Sequence, residues 1–141
     1  MRDLKVVPRI GEKNFQLIEN IVESQFSSNF KEVLKKYAGL SVFENMFIDN
    51  KENLWSLGAF DNFPSIYELT NEFLQKYHRK LVPFAFDGGG WHFCLSFDAD
   101  SYGKIIINRW TDHLPEEQFL VIADNFEEFI NGLKLSEGIS Y

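Results

Sequence analysis

Residues 81–97 read LVPFAFDGGGWHFCLSF, two apolar runs on either side of Asp87-Gly88-Gly89-Gly90. This is the pattern of two strands joined by a glycine hairpin. Such turns need positive φ, which glycine reaches without a steric cost. On the second run Trp91, Phe93, Leu95 and Phe97 fall on one face, and His92, Cys94 and Ser96 on the other, as the period of a pleated strand requires. Downstream, Asp98–Gly103 is a second turn, followed by Lys104-Ile105-Ile106-Ile107, a strand apolar on both faces. Trp110–Phe119 is polar and reads as a loop or an edge. Asn125–Leu133 is a short helix: Asn125 and Glu128 have capping-box spacing, and Phe126, Phe129, Ile130 and Leu133 form its apolar stripe.

Upstream of the hairpin, Ser65 and Glu68 after Pro64 predict the start of a helix that buries Ile66, Leu69, Phe73, Leu74 and Tyr77. Val42–Ile48 and Leu54–Leu57 read as strands around a polar turn at 49–53. Two amphipathic helices precede them. One carries Phe15, Ile18, Ile21 and Val22. The other carries Phe30, Val33, Leu34 and Tyr37, with caps offered by Ser27-Ser28-Asn29 and an end near Gly39. Residues 1–10 read as an extended arm and 134–141 as a frayed tail. Strands joined by short turns must pair antiparallel, because parallel neighbours need long crossovers. The expectation is an α+β fold: one domain over residues 1–141, a largely antiparallel twisted sheet with helices packed against it.

The 141 residues carry a net charge of -7, and the charge is one-sided. Residues 1–84 hold eleven Lys/Arg and eleven Asp/Glu, whereas residues 85–141 hold three Lys/Arg against ten Asp/Glu. A field of that sign repels phosphate backbones and attracts cationic partners, which argues against nucleic acid. No apolar run approaches the length of a membrane span, and the N-terminal residues lack the apolar core of a signal peptide. The single cysteine, Cys94, excludes an intrachain disulfide and fits a reducing compartment, so a cytoplasmic location is expected.

Four segments taken in order resemble the SUKH superfamily, whose founding members include fungal regulators of cell-wall assembly and killer-toxin resistance. The first is Phe26-Ser27-Ser28-Asn29-Phe30-Lys31-Glu32-Val33-Leu34-Lys35-Lys36-Tyr37-Ala38-Gly39. It lacks the family's proline and has Ala38 in place of the first glycine of a pair. The second is Phe84-Ala85-Phe86-Asp87-Gly88-Gly89-Gly90-Trp91-His92-Phe93-Cys94-Leu95, the third Tyr102-Gly103-Lys104-Ile105, and the fourth Ala123-Asp124-Asn125-Phe126-Glu127-Glu128-Phe129-Ile130. The likeness spans about residues 12–133, with Asp87, Gly88, Gly89, Gly90 and Gly103 as its signature. It implies a binding protein rather than an enzyme. Bacterial members are commonly immunity proteins that hold a cognate toxin, frequently a nuclease, in an inactive complex, and fungal members act as intracellular scaffolds.

The residues themselves offer little catalytic chemistry. His92 and Cys94 share a strand face, but an activated thiolate needs a third orienting group, and free cysteines are usually buried. Asp98, Asp100 and Gly103 match part of a calcium loop, yet Tyr102 and Arg109 stand where ligands are required. The glycines lack the Lys-Ser/Thr of a phosphate loop. His78 and His113 are isolated. No catalytic residue, metal or cofactor is therefore expected.

The best functional candidate is Trp110–Glu117, reading WTDHLPEE, in which Trp110 stands beside Asp112, Glu116 and Glu117. Asp98 and Asp100 would join that acidic surface if their turn lies nearby. An aromatic anchor with steering carboxylates suits a basic partner such as a nuclease toxin. The expected function is immunity against a cognate toxin. An intracellular scaffold without a toxin is the alternative, and the sequence leaves the oligomeric state open.

Overall fold

Residues 10–110 and 114–135 are described by a computed structural model, and the four helices and seven strands named below lie within them. Helices α1 (Glu12–Val22) and α2 (Ser28–Tyr37) come first, then the short ribbon β1 (Met46–Ile48) and β2 (Leu54–Ser56). β3 (Ala59–Phe60), α3 (Phe63–Tyr77), β4 (Leu81–Phe86), β5 (His92–Ser96), β6 (Ile105–Asn108), β7 (Phe119–Ala123) and α4 (Phe126–Asn131) complete the chain order. The main sheet is antiparallel throughout, with strand order β3-β4-β5-β6-β7. The α+β arrangement read from the sequence is the one observed.

The glycine hairpin joins β4 to β5 as expected. The Asp87 carboxylate organises it, accepting from Gly89 N–H at 2.9 Å and Trp91 N–H at 2.8 Å. Of its three glycines, Gly90 takes the left-handed backbone, with φ 90. Gly103, φ 83, does the same in the next turn. Pro83 can donate no ladder bond, and the β4–β5 register shifts beside it, between Pro83 and Ala85. A proline inside a central strand is accommodated in that way.

The two faces of β5 separate as its alternation dictates. Phe93, Leu95 and Phe97 belong to the larger core cluster, with Phe84 and the stripes of α1, α2 and α4. Aromatic rings meet there: Phe30 lies 4.9 Å from Phe126, and Phe129 lies 5.3 Å from Phe93 and 5.6 Å from Phe84. On the opposite face Cys94 packs with Leu81, Ile106 and Phe73 of α3. The high phenylalanine content is thus used mainly to fill the interior between sheet and helices.

Several boundaries differ from the reading of the sequence. The Val42–Ile48 run is strand at Met46–Ile48 alone. Helix α3 begins earlier than Ser65: Asn62 caps it, accepting from Ser65 N–H at 3.0 Å, with Pro64 in the first turn. Helix α4 is shorter than expected, although Asn125 caps it, accepting from Glu128 N–H at 2.7 Å. Lys134 is no frayed tail residue, because it exchanges backbone bonds with Met46. Strands β3 and β7 were not anticipated. β3 is two residues long, and the Phe119–Ala123 run has no alternation that separates a strand from a buried helix turn. The expected arm, apart from Ile10, and tail residues 136–141 lie outside the described residues.

Candidate protein-binding surface

The path of the chain decides which candidate residues share a surface. β5 leads into the Asp98–Lys104 turn, and β6 carries the chain back so that Asn108 stands opposite His92. Residues 109–110 and 114–118 therefore lie at the glycine-hairpin end of the sheet, and the Asp98–Asp100 turn lies at the other end. Asp98 and Asp100 do not extend the acidic surface around Trp110. An antiparallel hairpin puts successive connections at opposite ends, which corrects the expectation of one joint patch.

Asp98 is held by its own fold. Its carboxylate accepts from the Arg79 guanidinium at 2.6 Å and from Lys80 N–H at 2.8 Å, tying the start of β4 to the end of β5. Beside it the Ser96 and Ser101 hydroxyls meet at 2.7 Å. That network closes a turn and engages both oxygens of the Asp98 carboxylate. Asp100, in contrast, is exposed.

At the other end Trp110 packs back onto the sheet. Its ring lies 5.5 Å from Phe73 and 6.1 Å from His92, and its indole N–H donates to Gly90 C=O at 2.9 Å. The residue holds a left-handed backbone, φ 53, secured by its N–H on the Asn108 side-chain oxygen at 2.9 Å. Glu116 and Glu117 follow in a 3-10 turn, both exposed, with the Arg109 guanidinium donating to the Glu117 carbonyl. Asp112 lies outside the described residues. Of the anchor-and-carboxylate pattern, Glu116 and Glu117 are thus exposed while much of Trp110 is spent on the sheet.

Under Trp110 sits a polar cluster that sequence reasoning missed. Asp61, 2% exposed, faces His92 Nδ1 at 3.1 Å, and Gln118 donates to the Asn108 side-chain oxygen at 3.0 Å. The Asn108 side-chain nitrogen has no partner among the described residues. The signal was present in outline, since Asp61 is a lone carboxylate between Phe60 and the α3 cap. Only the packing of β3 beside β4 brings it toward His92, 31 residues away.

His92 and Cys94 do not form a nucleophilic pair. Cys94 is fully buried, and burial pushes its thiol well above its ordinary value, with the Asp61 charge adding to the rise and Arg79 opposing it. The Sγ atom approaches the His92 carbonyl at 3.8 Å, while the imidazole is turned to Asp61. A protonated, enclosed thiol is inert. Among the described residues no three His, Cys, Asp or Glu side chains converge as metal ligands would. No described helix is long and apolar enough to cross a membrane.

Comparison with known proteins gives a consistent placement. The family model SUKH_6, described as SMI1-KNR4 cell-wall, matches residues 12–130. The chain is also similar to the SPbeta prophage-derived uncharacterized protein YokK of Bacillus subtilis (strain 168), 25% identical over 140 residues, covering 82% of this chain and 70% of that protein.

Proposed function

The chain belongs to the SUKH superfamily, in its SMI1-KNR4 cell-wall group, and from that membership we propose that it is an immunity protein that neutralises a cognate toxin by forming an inhibitory complex. The observation that supports this reading is the concentration of negative charge in the C-terminal part of the chain. The excess of carboxylates lies in residues 85–141, and Glu116 and Glu117 stand exposed at one end of the sheet. A basic toxin, such as a nuclease that must itself bind a phosphate backbone, is the complementary partner. The protein acts by occupying the toxin rather than by chemistry, from the cytoplasm.

The test is a pull-down with the product of the neighbouring gene, followed by rescue of cells expressing it. Complex formation slows as salt is raised, because steering between opposite charges is screened. Charge reversal at Asp112, Glu116 and Glu117 together lowers the association rate by about tenfold while dissociation changes less. An unchanged rate removes this acidic end from the interface. The cell-wall description of the matched family favours a second reading, an intracellular scaffold or regulatory module. A neighbouring gene that encodes no toxin, together with failure to rescue, would support it.

A further inference from the structure

The main sheet has two edges, and the chain treats them differently. Along β3 the segment after α2 runs as a cover. Phe60 N–H donates to Leu40 C=O at 2.9 Å, Gly39 N–H to Phe60 C=O at 3.1 Å, and the Ser41 hydroxyl to Gly58 C=O at 3.0 Å. Along β7, among the described residues, no backbone bond is made on the outer side. Arg109 N–H bonds to Gln118 C=O at 2.8 Å, which fixes the phase of the β6–β7 ladder. By antiparallel alternation, the N–H and C=O groups of Phe119 and Val121 are directed outward.

An open edge is normally blunted by lysine, proline or an inward-pointing charge. β7 reads Phe119-Leu120-Val121-Ile122-Ala123 and has none of these, and Val121 is 45% exposed. The register shift against Ile105 and Ile106 makes Ile122 an extra residue, so the irregularity is confined to the C-terminal end. Phe119–Val121 keeps a regular register with β6, as a strand that templates another does.

The surroundings say which strand fits. Residues 110–133 contain six carboxylates and no lysine or arginine. Glu116 and Glu117 are exposed just before β7, and Asp124 and Glu127 just after it. A second copy pairing antiparallel about Val121 would set Glu116 and Glu117 against Asp124 and Glu127 of its mate, like charge on like. An extended segment with lysine or arginine at both ends meets opposite charge at both. We infer that β7 is a docking edge for a basic, extended segment of a partner protein, which adds as a sixth strand. This rests on the protein-binding reading above and names its surface.

The probes are two synthetic ten-residue peptides with the same alternating Thr/Val centre, one flanked by Lys/Arg and one by Glu, added in excess to the whole isotope-labelled chain. The Lys/Arg peptide slows amide exchange at Phe119 and Val121 by about tenfold or more, and the Glu peptide does not. Val121→Lys, which keeps the backbone and adds a repelling charge, weakens that binding by about tenfold with an unchanged unfolding transition. V121P removes an outward N–H and abolishes it. Unchanged exchange with the Lys/Arg peptide overturns the inference, and so does equal binding of both peptides. Protection in the free chain that grows with concentration alongside a doubled mass also overturns it, because the occupant is then a second copy. If V121K rescues cells from the neighbouring toxin as well as the unaltered chain, the edge is not the toxin's surface and the immunity reading stands. If the unaltered chain rescues nothing yet holds the Lys/Arg peptide at β7, the immunity reading falls and the docking edge remains.

Discussion

β3 and β7 flank the same sheet, yet their side chains and backbones are used in opposite ways. On β3, Phe60 is buried and stacks on Tyr37 at 5.5 Å, and the 39–41 segment takes up the outward backbone groups. On β7, Val121 faces solvent, and acidic residues bracket an apolar run. The difference shows where this fold spends backbone and side-chain contacts on itself and where, among the described residues, it does not. An edge closed from within serves the protein's own folding, whereas an apolar edge left open between carboxylates is a liability unless a partner covers it.

Substitutions on the two strands separate these roles. The largest expected effect is at the closed edge: Phe60→Ala leaves a cavity beneath Tyr37 and lowers stability by about 3–5 kcal/mol, measured by urea unfolding. A loss below about 1 kcal/mol would mean that the cover is not integral. Next comes Asp61→Ala, just after β3, which removes the buried carboxylate facing His92 and costs about 1–3 kcal/mol. Asp61→Asn, able to hold one hydrogen bond, should recover part of that loss. Ser41→Ala deletes a single partly solvated bond to Gly58 and costs about 0.5–1 kcal/mol. The smallest effect is at the open edge, where Val121→Ala stays within about 0.5 kcal/mol. A large loss there would show β7 to be covered in the free protein. Cys94, behind both edges, provides a control: a thiol reagent should label it at the rate of global unfolding, and fast labelling in native buffer would contradict its burial.

The hairpin, the three longer helices and the alternation of β5 were legible because each is written locally, in glycine placement, capping residues and periodicities of 3.6 or 2. β3 and β7 were not. Two residues cannot display a period, and Phe119–Ala123 is uniformly apolar although only its second half is buried. The candidate surface was half legible. Glu116 and Glu117 are exposed as an acidic loop predicts, but Asp98 is consumed by Arg79 and Lys80, Asp100 lies at the far end of the sheet, and Trp110 leans on Phe73 and Gly90.

By itself the sequence determined the antiparallel α+β class, the glycine turn, the family resemblance and the concentration of negative charge after residue 85. These depend on neighbours within a few positions or on simple counts. Tertiary structure alone decided which carboxylates face solvent together, that Asp61 reaches His92, and that, among the described residues, one sheet edge is closed while the other is open. Those outcomes depend on contacts between residues far apart in the chain, and strand order, which no local periodicity encodes, sets them.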